Sequence, residues 1–184
     1  MCPPLWRAAI ILSLVASVSA CSGGPTTPSP VGSSSEPAAS TATPSTPASP
    51  SSPSSEAASV IQLTNTERSA AGVPALATNT RLVLAAQLHA NQMAELQQME
   101  HNLPGATYPS PADRLAAAGY AWRTYGENIA FNYRTPDEVM RGWMGSSGHR
   151  ANILNSSFTE MGAAVARDAQ GRPYWVQVFG APRS

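Results

Sequence analysis

A proline-rich tract near the N-terminus sets the strongest limit on where this chain can fold. Residues 22–57 are almost all Ser, Thr, Pro, Ala or Gly, and eight prolines recur between Pro25 and Pro53. This composition offers too little apolar surface to offset the entropy lost on folding, and the prolines keep the chain extended. We therefore expect residues 21–57 to form a disordered tether and residues 58–184 to form the globular domain.

The first 20 residues have the pattern of a secretory signal peptide. A positive charge precedes an apolar run at residues 8–18, and small residues follow. The apolar run is too short to cross a bilayer core of about 30 Å, which takes roughly 20 residues. Val-Ser-Ala-Cys at residues 18–21 resembles a bacterial lipobox, so we expect Cys21 to be diacylated and to anchor the chain to the cell membrane or outer membrane. The alternative is plain secretory cleavage near Ala20, which would give a secreted protein.

Charge and cysteine content argue against a nucleic-acid partner and against an internal disulfide. Eleven arginines balance eleven acidic residues, and the chain has no lysine. Because there is no long-range positive field to gather nucleic acid, we expect no nucleic-acid partner. Cys2 leaves with the signal peptide, and the mature chain keeps only Cys21, so no internal disulfide forms. The domain must therefore be held together by its packed core.

Caps, breakers and periodicity predict five helices and a hairpin in the globular part. A short helix that carries His149 is expected to have Ser147 as its N-cap, and an apolar piece is expected at residues 129–131. The strands at residues 161–166 and 174–179 are expected to be joined by a turn. The other four helices are expected at residues 58–71, 79–99 and 111–118 and from residue 136 onward.

Three motifs occur in order along this domain. They are Gly-Glu-Asn-Ile-Ala at residues 126–130, Ser-Gly-His-Arg-Ala-Asn-Ile-Leu at residues 147–154, and Tyr-Trp-Val-Gln-Val-Phe-Gly at residues 174–180. Together they resemble the CAP superfamily, or SCP domain, which groups cysteine-rich secretory proteins, antigen 5 and plant pathogenesis-related proteins. The resemblance covers residues 58–181. It implies an α+β fold, a three-layer α/β/α sandwich around a small antiparallel sheet.

The resemblance also implies a cleft lined by histidines and acids. His101, Glu127 and His149 match three of the four positions that line the family's cleft, and Asn128 and Ser146 are secondary cleft candidates. Ser146 stands where eukaryotic members carry a second acid, which puts any chemistry that needs two carboxylates in doubt. His89 lies on the apolar face of the second helix, so we interpret it as a hydrogen-bonded core residue outside the cleft.

Three kinds of chemistry fit two imidazoles and one carboxylate. They form a ligand set for zinc or another divalent metal, an acid–base pair with Glu127 and His149 as catalytic candidates, or a polar network that fixes the loops. We expect an extracytoplasmic module that binds a lipid, glycan or peptide and is anchored through Cys21. A hydrolase that uses the same cleft is one alternative, and a surface interaction domain with a vestigial cleft is the other.

Overall fold

The computed structural model describes residues 52–183. The expected signal peptide, Cys21 and most of the expected tether lie outside the described residues. Within the described range no helix is both long and apolar enough to span a membrane. The helices are α1 (Ser55–Ala70), α2 (Thr80–Leu96), α3 (Pro111–Ala117), α4 (Pro136–Gly145) and α5 (Ser147–Ile153), and the strands are β1 (Ala77–Thr78), β2 (Trp122–Phe131), β3 (Glu160–Arg167) and β4 (Pro173–Pro182).

The first helix begins inside the stretch that composition assigns to the tether. Ser54 is the N-cap, its hydroxyl accepting a hydrogen bond from the Ala57 N–H (3.3 Å), and α1 starts at Ser55 rather than at residue 58. Ala57 is buried, and Glu56 pairs with Arg167 of β3 at 3.0 Å. Alanine and glutamate favour helix, so residues 55–57 can extend α1 where they pack against the rest of the domain.

The sheet has the strand order β1-β3-β4-β2. Strands β3 and β4 form the predicted antiparallel hairpin, and β4 also pairs antiparallel with β2. The short β1 runs parallel to β3, so the sheet is mixed rather than wholly antiparallel. Strand β2 is longer than the predicted apolar piece, because its polar first half also pairs with β4, from Trp122 opposite Pro182 onward.

Helices cover both faces of the sheet, as the three-layer prediction requires. Val176 and Val178 of β4 pack with α2 and α3 in one core. Trp175 and Phe179, which alternate with them along the strand, pack with α1, α4 and α5 in a second core. Successive side chains of a strand point to opposite faces, so one apolar strand serves both cores.

Gly162 lets α2 lie directly against β3. A Cβ atom at this position would stand 2.2 Å from the backbone of Leu82 and of Val83, closer than any side chain can approach. The close packing fixes α2 over the sheet, and with it the position of His89.

The short α5 begins one residue earlier than predicted. Its N-cap is Ser146, not Ser147, and the Ser146 side chain makes no capping hydrogen bond. Ser147 instead takes the first helical position, because α4 ends at Gly145 and only Ser146 separates the two helices. The expectation that Ser147 caps this helix is therefore wrong.

Candidate functional site

The site is built around two neighbouring residues of the edge strand β2. The side chain of Glu127 contacts Arg114 of α3, whereas the side chain of Asn128 contacts α5 and β4 on the opposite face. The alternation of a strand therefore separates the carboxylate and the amide into different layers.

Glu127 is the centre of a buried polar network. Its two oxygens accept hydrogen bonds from Nη2 of Arg114 at 3.2 and 3.1 Å, and Oε1 lies 2.9 Å from Nδ1 of His101. Arg114 is only 1% exposed. It also donates to the backbone carbonyls of His101 (2.9 Å), Tyr108 (3.2 Å) and Pro109 (3.4 Å). One guanidinium thus ties the loop after α2 to the carboxylate on β2.

His101 is the member of this network that reaches the surface. Its side chain is 49% exposed, and the hydrogen bond to Glu127 raises its pKa above the usual histidine value. A carboxylate only accepts hydrogen bonds, so in this pair Nδ1 of His101 carries a proton and donates a hydrogen bond to Glu127. The ring's second nitrogen, Nε2, is then left for solvent or a ligand.

His89 is not the hydrogen-bonded core residue that its position on α2 predicts. It is fully buried, but neither ring nitrogen has a hydrogen-bond partner among residues 52–183. Nε2 lies 3.6 Å from Oε1 of Glu127, and burial lowers the pKa of His89 to about 4. A neutral, buried imidazole therefore lies beside Oε1 of Glu127, the same oxygen that His101 contacts.

His149 lies across the edge of the sheet from this network. Its backbone carbonyl accepts a hydrogen bond from Nδ2 of Asn128 (3.1 Å), and its ring is partly buried. Burial lowers the pKa of His149, and the nearby charge of His101 adds to this effect. In the described part of the chain, no hydrogen bond or ion pair joins the His149 ring to His101 or Glu127. The structure thus brings together two of the three predicted cleft residues and sets the third beside them.

A groove of about 370 Å³ runs along the end of β2 and over α4. Apolar side chains make up most of its lining, and Ser146 and His149 are among the few polar residues there. Asn128 is fully buried and does not line the groove. The lining residues are Met99, Ile129, Ala130, Phe131, Tyr133, Gly142, Trp143, Ser146 and His149.

Two side chains cover the backbone edge of β2 beside the groove. Nε1 of Trp143 donates to the carbonyl of Ile129 (3.1 Å), and Nδ2 of Asn152 donates to the carbonyl of Glu127 (3.2 Å). An edge strand with its carbonyls taken in this way is a poor template for an added strand.

The arrangement is a poor fit to a metal ion. Within residues 52–183 no three His, Cys, Asp or Glu side chains are grouped so that they could hold one. Both oxygens of Glu127 already face the cationic Arg114, and Ser146 supplies only a neutral hydroxyl. A divalent ion on Glu127 would have to displace the arginine.

Two residues of the network are absent from the motifs. His89 could have been suspected because it is a titratable group on an apolar helix face. Arg114 gives no such signal, since a single arginine in a short helix is usually a surface residue. Its role emerges only when α3 packs beside β2.

Comparison with known proteins matches the same part of the chain. The model of the CAP, cysteine-rich secretory protein family, matches residues 61–179. The uncharacterized protein YkwD of Bacillus subtilis is 38% identical over 120 residues, which are 65% of this chain and 45% of that protein. An extracellular SCP-domain protein of Bacillus anthracis shares 30% identity with a TM-score of 0.63, over 68% of this chain and 40% of that one.

A cysteine-rich secretory protein from Staphylococcus aureus is similar as well. It shares 25% identity with a TM-score of 0.54, over 68% of this chain and 38% of that chain. The chain thus spans less than half the length of each of these three relatives. The family model nevertheless covers more than half of the chain, from α1 to β4. The chain therefore belongs to the CAP family of extracellular proteins, as its three motifs predicted.

Proposed function

We propose that this domain is an extracytoplasmic binding module that takes up the apolar part of an amphiphilic ligand, such as an acyl chain. The observation that carries the proposal is the apolar groove of about 370 Å³ beside β2. A concave, mostly apolar site with a few polar groups is the usual form of a small-molecule site.

The lining of the groove favours an acyl chain over the two other ligand classes. A glycan needs many hydrogen-bonding partners, whereas the groove offers few polar groups, chiefly Tyr133, Ser146 and His149. An extended peptide would add to the edge of β2, where Trp143 and Asn152 already occupy two carbonyls. The groove therefore favours a ligand that binds through apolar contacts. In this proposal the polar end of the ligand points towards His149.

The proposed location is the outer side of a membrane. Membership of an extracellular family and the signal-peptide pattern at the N-terminus support it. In this proposal, a lipidated Cys21 holds the chain to the membrane, and the proline-rich residues 22–53, before the start of α1, provide reach. Mass spectrometry of the mature N-terminal peptide from membrane fractions tests the anchor, and an unmodified Cys21 in a soluble product would contradict it.

The groove is tested by filling it. Ser146 lines the groove and its side chain makes no capping hydrogen bond, so Ser146→Trp obstructs the site without removing a capping hydrogen bond. The neighbouring Ser147 is exposed and outside the groove, which makes Ser147→Trp a matched control. We expect titration with dodecanoate by calorimetry to show affinity at least about tenfold weaker in Ser146→Trp and unchanged in Ser147→Trp. Equal affinities in both variants would refute the groove as the binding site.

A hydrolase is the second candidate, and the His101–Glu127 pair is the observation that favours it. A carboxylate on Nδ1 leaves Nε2 free to take a proton, as in the histidine–acid half of a catalytic triad. No described hydroxyl or thiol hydrogen-bonds to His101, so water would be the nucleophile. This geometry makes His101, rather than Glu127 or His149, the candidate base.

An ester substrate separates the candidates. Hydrolysis of p-nitrophenyl dodecanoate that is lost in both His101→Gln and Glu127→Gln would favour the hydrolase. Dodecanoate binding without hydrolysis would favour the binding module. Neither activity would favour the surface interaction domain with a vestigial cleft.

A further inference from the structure

Arg114 is a buried cation placed directly on the carboxylate of the cleft. We infer that the Arg114 guanidinium occupies the position that a divalent metal would take beside Glu127, so the His101–Glu127 site does not use a metal. The inference concerns the carboxylate alone and does not depend on what the groove binds.

The first support is the position of the guanidinium. Nη2 lies 3.1 and 3.2 Å from the two oxygens of Glu127, so the nitrogen faces both of them at once. A bidentate metal would need this same position between the two oxygens. Glu127 is 8% exposed and Arg114 is 1% exposed, which leaves little open approach to a further cation.

The second support is the orientation of the histidines. His101 presents Nδ1 to Oε1 as a donor, so this nitrogen has no lone pair to offer a metal on Glu127. The nitrogen of His89 nearest the carboxylate lies 3.6 Å from that same oxygen, and the ring is fully buried. Metal sites instead need ligands whose lone pairs converge on one point.

The third support is that Arg114 is fixed in both charge and position. A guanidinium is a cation that offers five N–H donors and no lone pair to a metal. Hydrogen bonds to the carbonyls of His101, Tyr108 and Pro109 hold the guanidinium in place. A metal would therefore meet a fixed positive charge in a poorly solvated site, where like charges repel strongly.

Zinc titration by calorimetry at pH 7 tests the inference on the mature chain. We expect Glu127→Gln to leave the zinc affinity of the wild type unchanged. Arg114→Gln should raise zinc affinity by at least about tenfold, because it frees an anionic ligand, and adding Glu127→Gln should abolish the gain. Arg114→Lys should show no gain, since lysine keeps the charge while losing the planar fork.

The two arginine variants separate charge from structure. Both lose hydrogen bonds to the loop carbonyls, so both should be less stable, but only the glutamine variant should gain zinc. Equal gains in both would mean that a loosened loop admits the metal, and the inference would fail, as it would if Arg114→Gln gained no zinc. If Arg114→Gln does not fold, the first comparison decides: a loss of wild-type zinc affinity in Glu127→Gln overturns the inference, and an unchanged affinity supports it.

Discussion

Glu127 and Asn128 are adjacent in β2, yet they anchor two different polar networks. Glu127 holds charged and titratable groups, Arg114, His101 and His89, in the layer of α2 and α3. Asn128 holds neutral groups on the other face. It donates to Gln177 (3.0 Å) and to the carbonyl of His149 (3.1 Å), and it accepts from Asn152 (2.9 Å).

The two networks differ in where they end. The amide network continues inward, because Gln177 donates to the buried Thr64 at 2.7 Å. The charged network ends outward, at the half-exposed ring of His101. Burying a charged group carries a large desolvation cost, whereas buried amides whose hydrogen bonds are all made fix the packing of a core at a smaller cost. We therefore assign a purely structural role to the amide network, whereas the charged network both stabilises the fold and presents His101 to solvent.

The largest expected effect comes from removing the buried cation. Arg114→Met should lower the free energy of unfolding by about 3–5 kcal/mol, because it leaves Glu127 buried without a counter-charge. Urea denaturation at pH 7 measures it. Adding Glu127→Met should recover part of the loss, since no unpaired charge then remains. A loss below about 1 kcal/mol in the single variant would break the contrast between the two networks.

The next effect is a dependence of stability on pH. Burial lowers the folded pKa of His89 to about 4, so its contribution is complete above the unfolded pKa near 6.5 and is lost as pH falls towards 4. His149, whose pKa is also lowered, acts in the same direction. His101, whose pKa is raised, loses its contribution only as pH rises above about 6.5.

We expect the free energy of unfolding to fall by about 2–3 kcal/mol between pH 7 and pH 4.5 on account of His89. His89→Gln removes the titrating group and should flatten most of this slope. Urea midpoints at the two pH values measure the change. A slope that is the same in His89→Gln and in the wild type would show that His89 is not held neutral.

A smaller effect is expected from the neutral network. Asn128→Ala removes three hydrogen bonds, those to the Gln177 side chain, to the His149 carbonyl and from Asn152, so it should cost about 1–3 kcal/mol. Asn91→Ala is the control, because Asn91 makes only an exposed hydrogen bond to Gln87. Thermal melts of both variants measure the difference. A neutral result for Asn128→Ala would mean that the amide network does not stabilise the fold.

The smallest effect is expected at the exposed Arg167–Glu56 pair. Its distances of 3.0 and 3.1 Å are like those of Arg114 and Glu127, but its side chains are 43% and 35% exposed. Arg167→Met should cost no more than about 1 kcal/mol, because solvent screens the charges. Thermal melts at low and high salt check this, and a cost close to that of Arg114→Met would show that burial does not set the difference.

Much of the fold follows from local signals. The hairpin of β3 and β4 can be predicted from its two apolar runs and the turn between them. The three motifs indicate the family. The first half of β2 is not readable, because residues 122–126 lack apolar alternation and are strands only through pairing with β4. Ser146 and Ser147 are equally good cap residues by type, so the choice between them depends on where α4 ends.

The residues of the site also divide into those that sequence signals identify and those that they miss. Glu127 and His149 are found because each lies in a short motif, and His101 is found because the family resemblance implies a cleft histidine before them. Arg114 and His89 are not found, because their contact with Glu127 arises when α2 and α3 converge over one point of β2. The opposite orientation of Glu127 and Asn128 is implied by strand alternation, but only once β2 is known to include both.

The chain's three histidines allow the central claim, that the groove beside β2 holds the ligand, to be tested in one experiment. His149 lines the groove, His101 stands at the surface, and His89 is fully buried. Long-range ¹H–¹⁵N NMR spectra of the imidazoles, recorded during titration with dodecanoate at pH 7, observe all three together. We predict saturable shifts at His149, smaller shifts at His101 and none at His89. Unmoved His149 signals at saturating ligand, or shifts as large at His89, would contradict the account.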